Sequence, residues 1–138
     1  MEKENCVYCK INKGEIKSYT IYEDSLTRAI LDINPVSPGH ILAISKEHYE
    51  NIFEAPDEIL ARINIVCKNL ALVCKKKLKC KGVNIINSSG KTAQQGVFHL
   101  HYHVIPRFEN DGNDLLRAFF PKEKGKINLE EIYKKIKK

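Results

Sequence analysis

No run of apolar residues in this chain approaches the roughly 18 to 20 needed to cross a bilayer, and nothing near its start resembles an apolar export signal. Both absences argue against a membrane partner and point to a cytoplasmic protein. No repeat and no Pro-, Gly- or Ser-rich linker divides the sequence, so residues 1–138 are expected to form a single domain. Its apolar share of 43% is enough for a real core, which excludes disorder as the default. A recognisable nucleic-acid motif is also missing. The net charge of +6 comes largely from Lys75, Lys76, Lys77, Lys79, Lys81, Lys134, Lys135, Lys137 and Lys138, which are not interleaved with aromatics. Such runs read as solvated faces, so no nucleic-acid partner is expected. Cysteines number five, an odd count that does not suit a disulfide framework. Cys67, Cys74 and Cys80 fall in a helix-like region, where a thiol packs as a small apolar group. Cys6 and Cys9, in CVYC, are spaced to grip one metal ion, with a redox pair as the alternative.

Periodicity supplies an outline. Ser18–Glu23 and Leu26–Ile33 read as a hairpin, Asn34–Gly39 as a loop forced by two prolines, and His40–Ser45 as a third strand. Glu47–Phe53 is expected to form a short helical turn carrying His48. Pro56 opens a long helix in which Ile59, Leu60, Ile63, Val66, Cys67, Leu70, Val73 and Cys74 recur at three- and four-residue intervals, and Gly82 is expected to stop it. Val83–Asn87 reads as a fourth strand, Ser88–Gly96 as a polar loop and Phe98–Phe108 as a fifth strand. Asn128 then caps a short Lys-rich helix.

Histidine is scarce, yet three of the five stand in HLHYHVIPR, residues 99–107. On a strand, His99, His101 and His103 share one face and Leu100, Tyr102 and Val104 the other, which places three imidazoles in one cleft. At roughly 6 to 7 Å between neighbours, each ring needs its own partner. A polar sheet face with incidental histidines and a catalytic metal held by these rings are the alternatives, the second weakened by a shortage of nearby carboxylates.

The pattern His-φ-His-φ-His-φ-φ, with φ apolar, resembles the signature of the histidine triad family. The resemblance extends over CVYCKINKGEI, LDINPVSPGHILAISKEHY and the Gly90–Arg107 loop and strand, leaving only the last 30 or so residues outside. The Cys-x-x-Cys and Ile-Pro-Arg segments look most like bacterial Hint-type members. The implied fold is α+β: an antiparallel sheet with one long helix and a short C-terminal helix, assembled as a homodimer.

The resemblance implies hydrolysis or transfer at the α-phosphate of nucleoside 5′-phosphoramidates, with a purine nucleotide as substrate and His101 as the nucleophile. A neutral imidazole offers a free lone pair at cellular pH, and the product is a nucleotidyl-imidazole that water cleaves. His103 is expected to stabilise charge on the phosphate. His40 matches a family histidine close to the nucleophile, and its role is left open between catalytic and structural. Gln95 and Gly96 would bind phosphate and leaving group. Gln94 stands where glycine is usual, and Gly96 where relatives carry a hydroxyl. Ser88 occupies a position often held by asparagine. Asp32 corresponds to the ribose-binding acid, with a turn residue as the alternative, and Val7, Tyr8, Ile11, Ile16, Ile30 and Ile33 correspond to the base pocket. Metal-bearing members imply a structural zinc on Cys6, Cys9, His48 and His99. Dinucleoside polyphosphate hydrolysis and a zinc-stabilised nucleotide-binding module are the competing functions.

Overall fold

The structure, a computed structural model, describes residues 3–117, 119–120 and 125–137. Its frame is a five-stranded antiparallel sheet in the order β1-β2-β3-β5-β4. The strands are β1 (Thr20–Glu23), β2 (Thr27–Leu31), β3 (Ile41–Ser45), β4 (Gly82–Ile86) and β5 (His101–Arg107). The first hairpin closes on Asp24, whose Oδ1 accepts the amides of Leu26 and Thr27 at 2.8 and 2.7 Å. Its Oδ2 accepts from Tyr22 Oη and from Arg62 Nε at 2.8 and 2.7 Å. Arg62 belongs to the long helix α2 (Asp57–Val73), so one carboxylate shapes the turn and ties it to the helix.

That helix begins after Pro56 with Asp57 and Glu58 in its first turn, where acidic groups favour the positive end of the helix dipole. It buries Ile59, Ile63, Val66, Cys67 and Leu70 against Ala29, Ile41, Ala43 and Val104 of the sheet and Leu100 just before β5. Each large aliphatic side chain removed from water contributes about 1.5 to 3 kcal/mol, so this stripe is the main source of stability. Cys67, Cys74 and Cys80 lie in the same core, and burial pushes the Cys67 thiol up to about 11. On the opposite face of the sheet a smaller cluster joins Tyr8, Ile11, Ile30, Leu42 and Ile44.

Several expected boundaries move. A helix α1 (Val7–Asn12), too short to show a period in the sequence, precedes the first hairpin. No helical turn carries His48: Tyr49 O accepts the amide of Leu100 at 2.7 Å, drawing residues 48–50 alongside the approach to β5. The long helix passes into a π turn, Cys74–Leu78, and stops at Lys79 in the left-handed region (φ 61°), while Gly82 begins β4. The fifth strand starts at His101, so His99 precedes its ladder. The final helix α3 (Leu129–Ile136) is capped as expected, Asn128 Oδ1 accepting the amide of Glu131 at 3.1 Å. Among the described residues no helix is long and apolar enough to cross a membrane.

Candidate active site and metal centre

Register places the histidines. Ile44 lies opposite His101 and Leu42 opposite His103 across the β3–β5 pair, and Ile86 faces His103 from β4. The two strand histidines thus stand among aliphatic neighbours on the face opposite α2. Their rings sit 5.2 Å apart at 69°, and each finds a different partner.

His101 turns its Nδ1 toward the main-chain oxygen of His99, 2.7 Å away. A carbonyl can only accept, so Nδ1 carries the proton and Nε2 keeps its lone pair. Burial lowers the pKa of this ring, the His99 carbonyl opposing, and keeps it uncharged at neutral pH. A neutral imidazole with a fixed tautomer and one free nitrogen is the form a nitrogen nucleophile requires.

His103 is governed from outside the strand. Val36 N–H donates to His40 Nδ1 at 3.0 Å, so that nitrogen is unprotonated and His40 Nε2 holds the hydrogen. His40 Nε2 lies 2.9 Å from His103 Nδ1, which therefore accepts, leaving Nε2–H of His103 as a donor on its far side. Burial, with His101 and His40 nearby, holds the His103 pKa down to about 4, and burial lowers that of His40. Asp32 Oδ2 stands 3.5 Å from His40 Nε2, while its Oδ1 accepts the amide of Asn34 at 2.8 Å. This acid thus both closes a turn and faces the relay.

Two groups of donors could hold a metal. Around the first, Cys6 Sγ and Cys9 Sγ lie 3.3 and 3.5 Å from His99 Nδ1, Cys9 Sγ lies 3.3 Å from His48 Nδ1, and the two Nδ1 atoms are 3.1 Å apart. A tetrahedral zinc ion with ordinary bond lengths has edges of about 3.3 Å between nitrogens and about 3.6 Å between nitrogen and sulfur. The donor set fits that polyhedron. His99 Nε2 lies 2.8 Å from the Ser45 carbonyl, which places the hydrogen there and frees Nδ1 to ligate, the outer-shell arrangement usual for metal-bound histidine. His48 Nε2 is buried with no hydrogen-bond partner among the described residues, and Cys6 and Cys9 are not joined in a disulfide. Burial holds His99 down to about 4 and lowers His48, so both rings are neutral. The second group, Asp32, His40 and His103, lacks this property. A metal on His40 Nε2 would move the hydrogen to Nδ1, against the Val36 amide.

Gln95 sits in neither cluster. Its Nε2 donates to the carbonyls of Glu50 and Val97 at 2.7 and 3.0 Å, and its Oε1 accepts from Gly90 N and Asn51 Nδ2 at 2.8 and 3.4 Å. With both donors and both lone pairs engaged, the buried amide clamps the 90–97 loop and has no bond to spare for a phosphate. Beside Lys91, Thr92 and Ala93, the exposed residues there include Gln94, held at φ 64°, and Gly96, around which a Cβ would meet nothing within 4 Å. A side-chain amide that reaches the triad strand is Asn87, whose Nδ2 donates to His101 O at 3.0 Å, and among the described residues no hydrogen bond ties the neighbouring Ser88 to that strand.

Of the six base-pocket residues, Tyr8, Ile11 and Ile30 are buried in the small cluster, whereas Val7, Ile16 and Ile33 are exposed, Ile33 at 83%. Tyr8 has its ring edge-on to both His99 and His101, with centroids 5.7 and 5.1 Å away, and burial with Asp32 and Cys6 nearby pushes its phenol up to about 12. Sequence reasoning missed Val36, Ser45 and Asn87. Val36 acts through a main-chain amide that leaves no mark on residue type, and Ser45 chiefly through its carbonyl, with its Oγ 3.2 Å from His99 Nε2. Only Asn87, a polar residue at a strand end, carried a signal.

A profile of the HIT domain matches residues 13–110. An uncharacterised HIT-like protein of Borreliella burgdorferi is 43% identical over 128 residues, 91% of this chain and 88% of its own length. The adenosine 5′-monophosphoramidase of Candida albicans is 37% identical over 107 residues, 75% of this chain and 70% of its own. Among solved structures, a zinc-bound histidine triad family protein from Mycobacterium smegmatis is similar with a TM-score of 0.78 and 38% identity, covering 80% of this chain and 81% of that one.

Proposed function

Because this chain belongs to the HIT domain family, whose nucleotide hydrolases share its fold, we propose that it hydrolyses nucleoside 5′-phosphoramidates through a nucleotidyl group carried on His101. The observation that supports this most directly is the 2.7 Å bond from His101 Nδ1 to His99 O, which leaves Nε2 unprotonated. In the first step the Nε2 lone pair forms a bond to the α-phosphorus as the phosphorus–nitrogen bond to the leaving amine breaks. The amine takes the electron pair and a proton from solvent, and the water that cleaves the intermediate in the second step returns a proton to solvent. His101 becomes a phosphorylated imidazolium whose Nδ1–H still donates to the His99 carbonyl, which stabilises the positive charge. Water then adds to phosphorus, the phosphorus–Nε2 bond breaks, and the ring recovers its lone pair as the nucleoside monophosphate leaves.

His103 acts as a donor to a phosphate oxygen through Nε2–H, and His40 is the positioning residue that keeps it a donor. Asp32 accepts ribose hydroxyls, and Val7, Ile16 and Ile33, exposed at the rim, meet a purine base above Tyr8, Ile11 and Ile30. Gly96 supports the amine side through its backbone amide alone. Cys6, Cys9, His48 and His99 hold a structural zinc: all four coordination positions come from the protein, so the metal, when bound, supplies rigidity and no open site. The exposed edge of β4, with Ile85 and Leu72 beside it, supports a homodimer. The absence of a hydroxyl at Gly96 gives dinucleoside polyphosphate hydrolysis, with an oxygen leaving group, as the second reading.

The test is turnover of adenosine 5′-phosphoramidate against diadenosine polyphosphate, with acid-labile labelling of the protein. Faster turnover of the phosphoramidate and a label lost in His101→Ala support the proposal. Preference for the polyphosphate selects the second reading. No label, and no turnover above the level of His101→Ala, leave a zinc-stabilised nucleotide-binding module.

A further inference from the structure

His99 has two duties that meet at one Cα. Its ring is fixed at both nitrogens, Nδ1 among Cys6, Cys9 and His48 and Nε2 on the Ser45 carbonyl, while its own carbonyl receives the Nδ1–H of His101. The direction of that carbonyl is set through its own peptide group, whose N–H, on Leu100, donates at 2.7 Å to the carbonyl of Tyr49, the residue next to His48. The metal-binding segment reaches the same imidazole by a second route. Cys6 caps α1, its Sγ accepting the amide of Cys9 at 3.4 Å, and the turn between the cysteines presents the Tyr8 ring to His99 and His101 at 84° and 73°. At six residues α1 is well below the roughly 12 to 15 at which a helix holds itself in water, so its position depends on its anchors. We infer that the Cys6–Cys9–His48–His99 cluster, with the metal it fits, orients the nucleophile, His99 and Tyr8 being the positioning residues. The inference rests on the assignment of His101 as nucleophile and adds to it a dependence on the metal centre.

Loss of the ion releases His99 Nδ1, His48 and the two cysteines of the α1 turn together, leaving His99 held only through Nε2 on Ser45 and α1 only by the packing of Tyr8 and Ile11 and the Asn12 amide. The His99 carbonyl and the Tyr8 edge then no longer select one ring plane and one tautomer for His101. Small displacements of this kind are expensive, because outer-shell partners in metal sites and misplacements of about 1 Å at a reacting group each cost on the order of tenfold to a hundredfold.

The experiment uses the full chain with 15N-labelled histidine, loaded with zinc and then chelated. Two-bond nitrogen–proton correlations report which nitrogen of His101 carries hydrogen, while circular dichroism follows the fold. The loaded protein should show a single Nδ1–H form. Chelated but folded protein should lose that single form, with kcat on adenosine 5′-phosphoramidate falling by about tenfold or more and KM changing far less. An unchanged His101 signal together with unchanged kcat in folded, metal-free protein overturns the inference. Should chelation unfold the chain, Tyr8→Leu with its zinc retained takes its place: the same fall in kcat, restored in Tyr8→Phe, supports the inference, and an unaltered kcat overturns it. A loaded protein with the single tautomer but no turnover of any α-phosphate substrate defeats the proposed activity, and the tautomer readout still decides the metal dependence.

Discussion

Changing Gln95 to glutamate keeps the shape of the side chain and reverses half of its hydrogen bonding. Nε2 now donates to the Glu50 and Val97 carbonyls at 2.7 and 3.0 Å, and in Gln95→Glu an oxygen would face them. Each buried carbonyl left without its donor costs about 1 to 3 kcal/mol, so the two together cost about 2 to 6 kcal/mol near neutrality. In a chain of this length that is a fall in Tm of roughly 6 to 18 °C. The cost depends on pH with a definite sign. Two facing carbonyls disfavour the ionised form, so the introduced carboxyl titrates above its usual value of about 4.3 in the folded state. Protonated, it can donate to one carbonyl and recover part of the loss. The variant should therefore approach the parent below about pH 4 and lose stability as pH rises through the raised value. Thermal unfolding of both proteins between pH 4 and 8, with zinc held constant, measures this. A variant that unfolds at the parent temperature at pH 7.5 yet has lost its turnover would refute the reasoning, because it would mean that Gln95 meets the substrate and does not clamp the loop.

The open space at Gly96 should admit a hydroxymethyl group, so Gly96→Ser is expected to fold normally and to raise kcat/KM for amine leaving groups several-fold; an unchanged or lower value in steady-state assays counts against a leaving group on that side. Purified without added metal, the protein should contain about one equivalent of zinc, and chelation should lower its Tm; elemental analysis finding under one tenth of an equivalent rules the site out. Desolvation opposes it, but hydrogen bonds from Arg62, the Leu26 and Thr27 amides and Tyr22 hold the Asp24 carboxyl well below the usual carboxylate range. A depressed value stabilises the fold above about pH 3.9 and is lost as pH falls, so urea unfolding of Asp24→Asn should show a flatter acid limb than the parent. His40→Asn should slow turnover by about a hundredfold while leaving zinc content unchanged; an undiminished kcat would remove His40 from the relay.

What the sequence disclosed follows from periodicity and chemical type. Alternation fixed the shared face of the triad, three- and four-residue spacing fixed α2, and two thiols and two imidazoles suit one metal whatever fold carries them. Other features depend on contacts that no residue type records. Helix α1 is six residues long, too short for a period to emerge, and its cysteines drew attention as ligands rather than as a cap. The π turn ends at Lys79, a residue that does not advertise the left-handed conformation, which made Gly82 the more natural stop. His48 looked helical among polar neighbours because the pairing of Tyr49 O with Leu100 N bridges 51 positions of sequence. Gln95 is the clearest case. Its place next to the triad reads as catalytic, while the four bonds that tie it to Glu50, Asn51, Gly90 and Val97 are visible only in the fold.

The arrow of donation through the cleft starts at a peptide group. Val36 offers its amide to His40, His40 to His103, and His103 is left facing outward with a hydrogen to give. A peptide amide does not titrate between acid and alkali, so the polarity of this wire is inherited from covalent structure and persists wherever the loop stays folded. Val36→Pro, which deletes a single hydrogen from the main chain beside Pro35, would free both imidazoles to reverse.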